Sequence, residues 1–301
     1  MQAVQFDEYG DPDVLHVAEV DEPHASAGQI RVAVRAVGVN PFDWKVRSGA
    51  LQQAFAVEFP YIPGVEAAGV VDEVGDGVSG VSVGDEVFGM TSRGTAQHAV
   101  LQDFVAKPPA MSWAEAAALP TAAETATRAL GLLGVKAGQT VLINGAAGGV
   151  GTVATQLAVA NGASVIGTAS EANHDYLRSL GATAIAYGPG LVSRVSEIAP
   201  NGVDLAFDTA GRGALPDLIE ITGSPDNVIT IADYAAAQLG VRLTSGGDER
   251  RPDALGRAAS LYEEGKLSVP VAQTFPMEQA AEAHRISQEG HVRGKLVITV
   301  E

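Results

Sequence analysis

The residues best suited to chemistry by type and spacing lie in one glycine-rich run, Ile143-Asn144-Gly145-Ala146-Ala147-Gly148-Gly149-Val150-Gly151. It follows an apolar strand-like stretch and opens a helical one. In that setting glycines let the chain turn tightly, and backbone N–H groups approach a pyrophosphate at the positive end of the helix. From Ala146 the spacing is A-x-G-x-x-G, with Ala146 where the stricter fingerprint has glycine. Ala146, Gly148, Gly149, Val150 and Gly151 are therefore predicted to cradle a dinucleotide. A βα turn with only a packing role is the alternative.

The end of the next strand decides between cofactors. An acidic residue there would grip the adenosine ribose hydroxyls of NAD. The chain instead reads Gly167-Thr168-Ala169-Ser170-Glu171, small and hydroxyl residues that leave room for a 2′-phosphate. Ser170, His174, Arg178 and Tyr187 can supply hydrogen bonds or positive charge, so NADPH is the expected cofactor. Glu171 argues the other way if it points inward, because a carboxylate repels the phosphate.

Composition removes other chemistry. The chain has no cysteine, which excludes disulfides, thiol nucleophiles and thiolate metal sites. The six histidines are scattered, with no HExxH or His-x-His pairing, so no catalytic metal is expected. A net charge of −17 disfavours nucleic acid and anionic membranes as partners. No apolar run approaches the roughly 20 residues of a membrane helix. MQAVQFDEYG carries neither a basic start nor an apolar run, so no secretory signal is expected and the cytoplasm is the expected location.

The elements that must position these residues change character along the chain. Residues 1 to about 115 read as all-β, with β-branched runs such as QIRVAVRAVGV, AAGVVDEVG and DEVFGM between turn signals. SWAEAAALPTAAETATRALGLL has helical spacing, with Ser112 as N-cap, Glu115 three residues on, and Pro120 dividing it into two helices. From Thr140 strands (TVLIN, SVIGTA, TAIAY, VDLAF, NVITIA) alternate with helices, and Gly162 stops the first of these. That alternation predicts a doubly wound parallel sheet, a Rossmann domain of the α/β class. A helix, VPVAQTF, another helix and KLVITV follow.

The chain resembles the zinc-independent quinone oxidoreductases and enone reductases of the medium-chain dehydrogenase/reductase superfamily. The likeness spans essentially the whole length, through VGVNPFDWKVRSG, PGVEAAGVV, VGDEVFG, AALPTAAETATRAL, INGAAGGVG and GHVRGKLVI in order. Where zinc-dependent relatives carry a Cys and the His of a G-H-E motif, this chain has Asn40 and Val65. The resemblance implies a GroES-like β-barrel catalytic domain from residues 1–118 and 248–301, around a Rossmann domain of residues 119–247. It also implies a cleft active site and a homodimer formed through the Rossmann sheet edge, with VRLTSGG (241–247) as the candidate interface strand.

The implied reaction is hydride transfer from NADPH to a small-molecule quinone or α,β-unsaturated carbonyl. It needs a positioned donor, a polarised carbonyl oxygen and a proton source. Asn40, Asp43, Lys45 and Arg47, at the end of a strand-like run, are the candidates for polarisation. Asn40 offers a neutral amide N–H, and Lys45 a cation that can give up a proton. Asp43 is read either as a participant or as the anchor of Lys45 or Arg47. Many quinone reductases have tyrosine where Lys45 stands and near Leu51, a departure that points toward alkenal and enone reductases. Thr125 and Lys295 are candidates to contact the cofactor, Leu51 and Phe55 to line the pocket, and Glu66 reads as structural. An enoyl-thioester reductase and a non-catalytic NADPH sensor are the alternative functions.

Overall fold

The computed structural model describes residues 1–301, apart from the side chain of Asp248. The chain divides into two compact units. The first is Met1–Thr121 with Leu255–Glu263 and Val269–Glu301; the second is Ala122–Ala254 with Glu264–Ser268. Two of the crossings fall inside helices rather than in loops, where no turn signal in the sequence could mark them.

In the first unit the N-terminal half contributes β1 (Gln2–Gln5), β2 (His16–Glu19), β3 (Ile30–Val39), helix α1 (Pro41–Arg47), β4 (Glu66–Val74), β5 (Glu86–Met90), β6 (His98–Leu101) and β7 (Asp103–Ala106). Helices α2 (Trp113–Ala118) and α3 (Pro120–Leu133) follow. The expected Ser112 and Glu115 capping box is present, and Pro120 separates the two helices. The expectation of an all-β region misses α1. Pro41 at its first position and Asp43 at its third are helix-start residues that the preceding run of valines obscured.

The seven-stranded sheet has the order β14-β15-β3-β4-β5-β7, with β6 also on β3; β14 (Val271–Pro276) and β15 (Lys295–Thr299) come from the far end of the chain. Valine, isoleucine and leucine side chains of β3, β4 and β15, among them Ile30, Val32, Val71 and Ile298, form its core with Phe6 and Phe275. Register does the positioning. β15 lies antiparallel to β3 with Leu296 opposite Val39, and β4 lies antiparallel to β3 with Ala67 opposite Val37. One residue further, Lys295 faces Asn40 and Glu66 faces Gly38. Because side chains alternate faces along a strand, all four share one face.

The second unit is a six-stranded parallel sheet of order β10-β9-β8-β11-β12-β13. Its strands are β8 (Thr140–Asn144), β9 (Ser164–Ala169), β10 (Thr183–Ala186), β11 (Leu205–Asp208), β12 (Val228–Thr230) and β13 (Arg242–Leu243). Helices α4 (Gly149–Ala160), α5 (His174–Ser179), α6 (Leu191–Ile198) and α7 (Leu215–Thr222) intervene, and α8 (Ala254–Glu263) and α9 (Ala280–Glu289) precede and follow β14. The chain winds from β8 to one side through β9 and β10, then returns to β11 beside β8. In open parallel sheets such a reversal, here at the carboxyl ends of β8 and β11, is where ligands bind. Among the described residues no helix is long and apolar enough to cross a membrane.

Candidate active site

The glycine-rich loop lies at the topological switch point. Asn144 ends β8, Gly145 turns with φ +81°, and α4 starts after Gly148. Gly145 N–H donates to Thr168 Oγ1 at 3.1 Å and Ala146 N–H to the Thr168 carbonyl at 3.0 Å, which pins the loop to β9. No side chain caps α4 at Gly148, so the N–H groups of its first turn have no side-chain partner there; Gly149 and Val150 are half-buried and Gly151 is buried. The glycines divide by what surrounds them. A Cβ on Gly151 would lie 2.2 Å from the Gly145 carbonyl oxygen, so that glycine is required by the loop itself. A Cβ on Gly148 would meet only that oxygen at 3.5 Å, in otherwise open space. A pyrophosphate fits this arrangement: open space beside Gly148, a helix start without a side-chain cap, and the positive end of a twelve-residue helix.

A polar ladder crosses the carboxyl ends of four strands beneath the loop. Thr168 donates to Asn144 Oδ1 (2.7 Å), Asn144 Nδ2 donates to Asp208 Oδ1 (2.8 Å), and Thr230 donates to Asp208 Oδ2 (2.7 Å). Asp208 is fully buried and also accepts from the N–H groups of Ala210 and Gly211. The ladder sets the spacing of the strands that carry the loop and explains polar residues in an otherwise apolar sheet.

Around the expected adenosine end, Ser170 is exposed and accepts from Asn173, and His174 Nε2 lies 3.3 Å from the Ala169 carbonyl. Arg178 pairs with Asp175 at 2.5 Å on the surface, and Tyr187 is half exposed. Such an exposed pair is worth no more than about 1 kcal/mol, so a phosphate could recruit the guanidinium. Glu171 is exposed. Thr125 is buried within α3.

In the first unit the candidate residues meet in a buried group. Asp43, at the third position of α1, turns its carboxylate back to accept from the Asn40 backbone N–H (2.7 Å) and reaches Gly64 N–H (3.3 Å). The Asn40 side chain also reaches the neighbouring strands. Its Nδ2 donates to Glu66 Oε1 at 2.7 Å, and its Oδ1 accepts from Lys295 Nζ at 2.5 Å. Lys295 also pairs with Glu66 at 2.5 Å, and Glu66 Oε2 accepts from Thr121 N–H at 2.7 Å in the first turn of α3. All four side-chain-bearing residues are buried, Glu66 completely. Burial pushes the Asp43 carboxyl up to about 7; its backbone hydrogen bonds and Lys295 oppose that rise, and Glu66 adds to it.

Several expectations change against this geometry. Lys295, expected at the cofactor, directs its ammonium into the Asn40–Glu66 group, because β15 pairs beside β3 and carries it there. The Asp43 oxygens hold the backbone N–H groups of Asn40 and Gly64. Arg47 leaves the candidates, since it is fully buried against α9 and donates to Gln288 Oε1 at 2.7 Å. Lys45 is half-buried over the Trp44 ring, and burial lowers its pKa. Phe55 packs edge-on to Phe42, with ring centres 5.2 Å apart. Glu66, expected to need a partner, is paired with Lys295. The signal for that pair was Gly38, where a Cβ would lie 2.1 Å from Glu66 Oε1.

A GroES-like β unit together with a Rossmann unit carrying a dinucleotide loop defines an oxidoreductase architecture. Residues 26–172 match the family described as alcohol dehydrogenase GroES-like domain, and residues 180–298 match zinc-binding dehydrogenase. The chloroplastic quinone-oxidoreductase homolog of Spinacia oleracea is 30% identical over 99% of this chain and 98% of its own length. The 2-methylene-furan-3-one reductase of Solanum lycopersicum is 32% identical over 99% of this chain and 79% of its own. The Escherichia coli quinone oxidoreductase complexed with NADPH superposes with a TM-score of 0.83 at 25% identity, covering 100% of both chains. The chain belongs to the quinone oxidoreductase family of the medium-chain dehydrogenase/reductase superfamily.

Proposed function

We propose that the protein is an NADPH-dependent, metal-free reductase acting on the conjugated carbonyl of a quinone or an enone. The observation that carries this reading is the Asn40 amide. It is buried, both its ends are engaged by charged partners, and one Nδ2–H is left over to donate to an acceptor oxygen. A neutral, prepositioned donor of this kind stabilises the negative charge that grows on a carbonyl oxygen as the carbon skeleton takes a hydride.

NADPH, when bound, supplies that hydride. The N–H groups at the start of α4 would hold its pyrophosphate, and Ser170, His174, Arg178 and Tyr187 are the residues proposed to take the 2′-phosphate. Glu171 on the surface leaves that end open to an anion. Thr125 is the candidate at the nicotinamide end. Lys45, whose ammonium is made readier to release a proton by burial, is the proton donor in this scheme. Asp43 sets the entry of α1 and so aims Asn40. The metal-free part of the reading is supported by the donor set: the chain lacks cysteine, and Asn40 and Val65 occupy the places of the family's zinc ligands. Two copies are proposed to pair along β13, the exposed edge of the Rossmann sheet.

The test is oxidation of NADPH and of NADH, measured separately against benzoquinone, naphthoquinone and short enones, before and after dialysis against a chelator. Acceptor-dependent oxidation that favours NADPH and survives dialysis is expected. Tight NADPH binding without turnover on any acceptor would replace the reductase with a sensor. Light scattering of the eluting protein checks the pairing, with twice the chain mass expected.

A further inference from the structure

Lys295 and Glu66 form a buried ion pair that the chemistry above does not use directly. Their arrangement around Asn40 is specific. An asparagine amide has one end that accepts and one that donates, and the two are close in shape, so an unrestrained side chain can present either. Here the ammonium faces Oδ1 and the carboxylate faces Nδ2. Turning the amide over would set its oxygen against the carboxylate and its N–H groups against the ammonium. Both contacts are repulsive, so one orientation survives. The ammonium also draws electron density from the amide oxygen, which strengthens the remaining N–H as a donor.

The surrounding fold is built to keep the pair in place. Glu66 Oε2 is held by Thr121 N–H, so the carboxylate cannot rotate freely, and Gly38 leaves the space that the carboxylate fills. Lys295 is fixed from the other side by the β15–β3 register. Together the pair adds no net charge to the site, whereas either partner alone would leave an uncompensated buried ion.

We infer that Lys295, acting with Glu66, is a positioning residue that locks the Asn40 amide with one N–H presented to the acceptor carbonyl. This rests on the role given to Asn40 above. Lys295 touches neither donor nor acceptor in this scheme; it works through Asn40.

The experiment compares full-length N40A, the charge-neutral double variant K295M/E66Q, and the triple variant N40A/K295M/E66Q. The double variant is chosen because K295M alone would strand the Glu66 carboxylate and could fail to fold. With NADPH and naphthoquinone, N40A is expected to lose between about ten- and a thousandfold in kcat/KM, the range for removing one such donor. K295M/E66Q should lose at least about tenfold while its NADPH dissociation constant stays within about twofold of wild type, and the triple variant should be no worse than N40A. Additive losses in the triple variant, or weakened NADPH binding in the double one, overturn the positioning role. Undiminished activity in N40A instead overturns the reading of Asn40 itself.

A second measurement does not depend on turnover. The Asn40 Nδ2 proton pair, assigned in a 1H–15N spectrum by its absence from N40A, should shift and exchange faster with solvent in K295M/E66Q. A pair unmoved in both shift and exchange shows that Lys295 does not hold the amide, whatever the activities are.

Discussion

Replacing Gly38 by alanine perturbs the buried group at its tightest point. The new Cβ would lie 2.1 Å from Glu66 Oε1 and 2.5 Å from the Ala117 carbonyl oxygen, where real Cβ atoms keep at least 3.0 Å. The Ala117 side is backbone of α2 and cannot yield, so the carboxylate must retreat by about 1 Å. That lengthens its bonds to Lys295 (2.5 Å) and Asn40 (2.7 Å) by about 1 Å, to the edge of hydrogen-bonding range. Hydrogen bonds to charged groups contribute about 1.5–3 kcal/mol each, so weakening two of them costs about 3–6 kcal/mol at most. A loss of ~4 kcal/mol corresponds to a melting point about 10 °C lower for a unit of this size. Both tryptophans, Trp44 and Trp113, belong to the first unit, so intrinsic fluorescence follows its unfolding alone. Gly256→Ala is the control: it lies in α8 with nothing within 4 Å of the added methyl, and it should stabilise slightly. Acceptor turnover should fall with the melting point in Gly38→Ala, while NADPH affinity holds. A Gly38→Ala protein melting within about 2 °C of wild type and reducing quinones normally would refute the tight placement of Glu66.

The loop glycines separate folding from binding. Gly151→Ala should compromise the second unit, because its Cβ meets backbone at 2.2 Å, whereas Gly148→Ala should fold normally and weaken NADPH binding at least about tenfold by filling the open cradle. Calorimetric melting and NADPH titration distinguish the two; equal effects on both variants would contradict the assignment. Stability against pH should carry two opposing contributions. Burial, and then the nearby Arg47, hold His284 down from 6.5 to about 3, so it stays neutral when folded. Its unfolded form binds a proton below 6.5, and stability falls as the pH drops from there toward 3, by about 2 kcal/mol at pH 5. Asp43 is raised from 3.8 to about 7, so its contribution is full below 3.8 and is lost as the pH rises through 7, by at most about 4 kcal/mol. His284→Leu should therefore be relatively more stable than wild type in acid, and Asp43→Asn relatively more stable near pH 8. Urea midpoints between pH 4 and 8 check this, and variant profiles parallel to wild type would rule it out.

What was legible in the sequence was local. The cofactor loop announces itself because strand, glycine turn and helix lie in one continuous stretch, and glycine at 145 and 151 answers to backbone conformation and close approach. The division of the alanine-rich helices at Pro120 and the cap at Ser112 follow from the same kind of neighbour-to-neighbour chemistry. The alternation from Thr140 onward sufficed for the parallel sheet, because buried strands and amphipathic helices have different periods.

The tertiary structure decided which charges meet. Asn40, Glu66 and Lys295 are separated by 26 and 229 residues along the chain, and only the pairing of β15 and β4 on either side of β3 puts them on one face. A shift of one residue in either register would have turned Lys295 or Glu66 to the opposite face of the sheet. Arg47 and Lys45, two residues apart on α1, end in different surroundings for a similar reason: a short helix sends neighbouring side chains in different directions, and packing against α9 buries Arg47. Residue types in the sequence therefore marked out the dinucleotide chemistry, while strand register, a property of the assembled sheet, determined the electrostatic setting of the residue assigned to the acceptor.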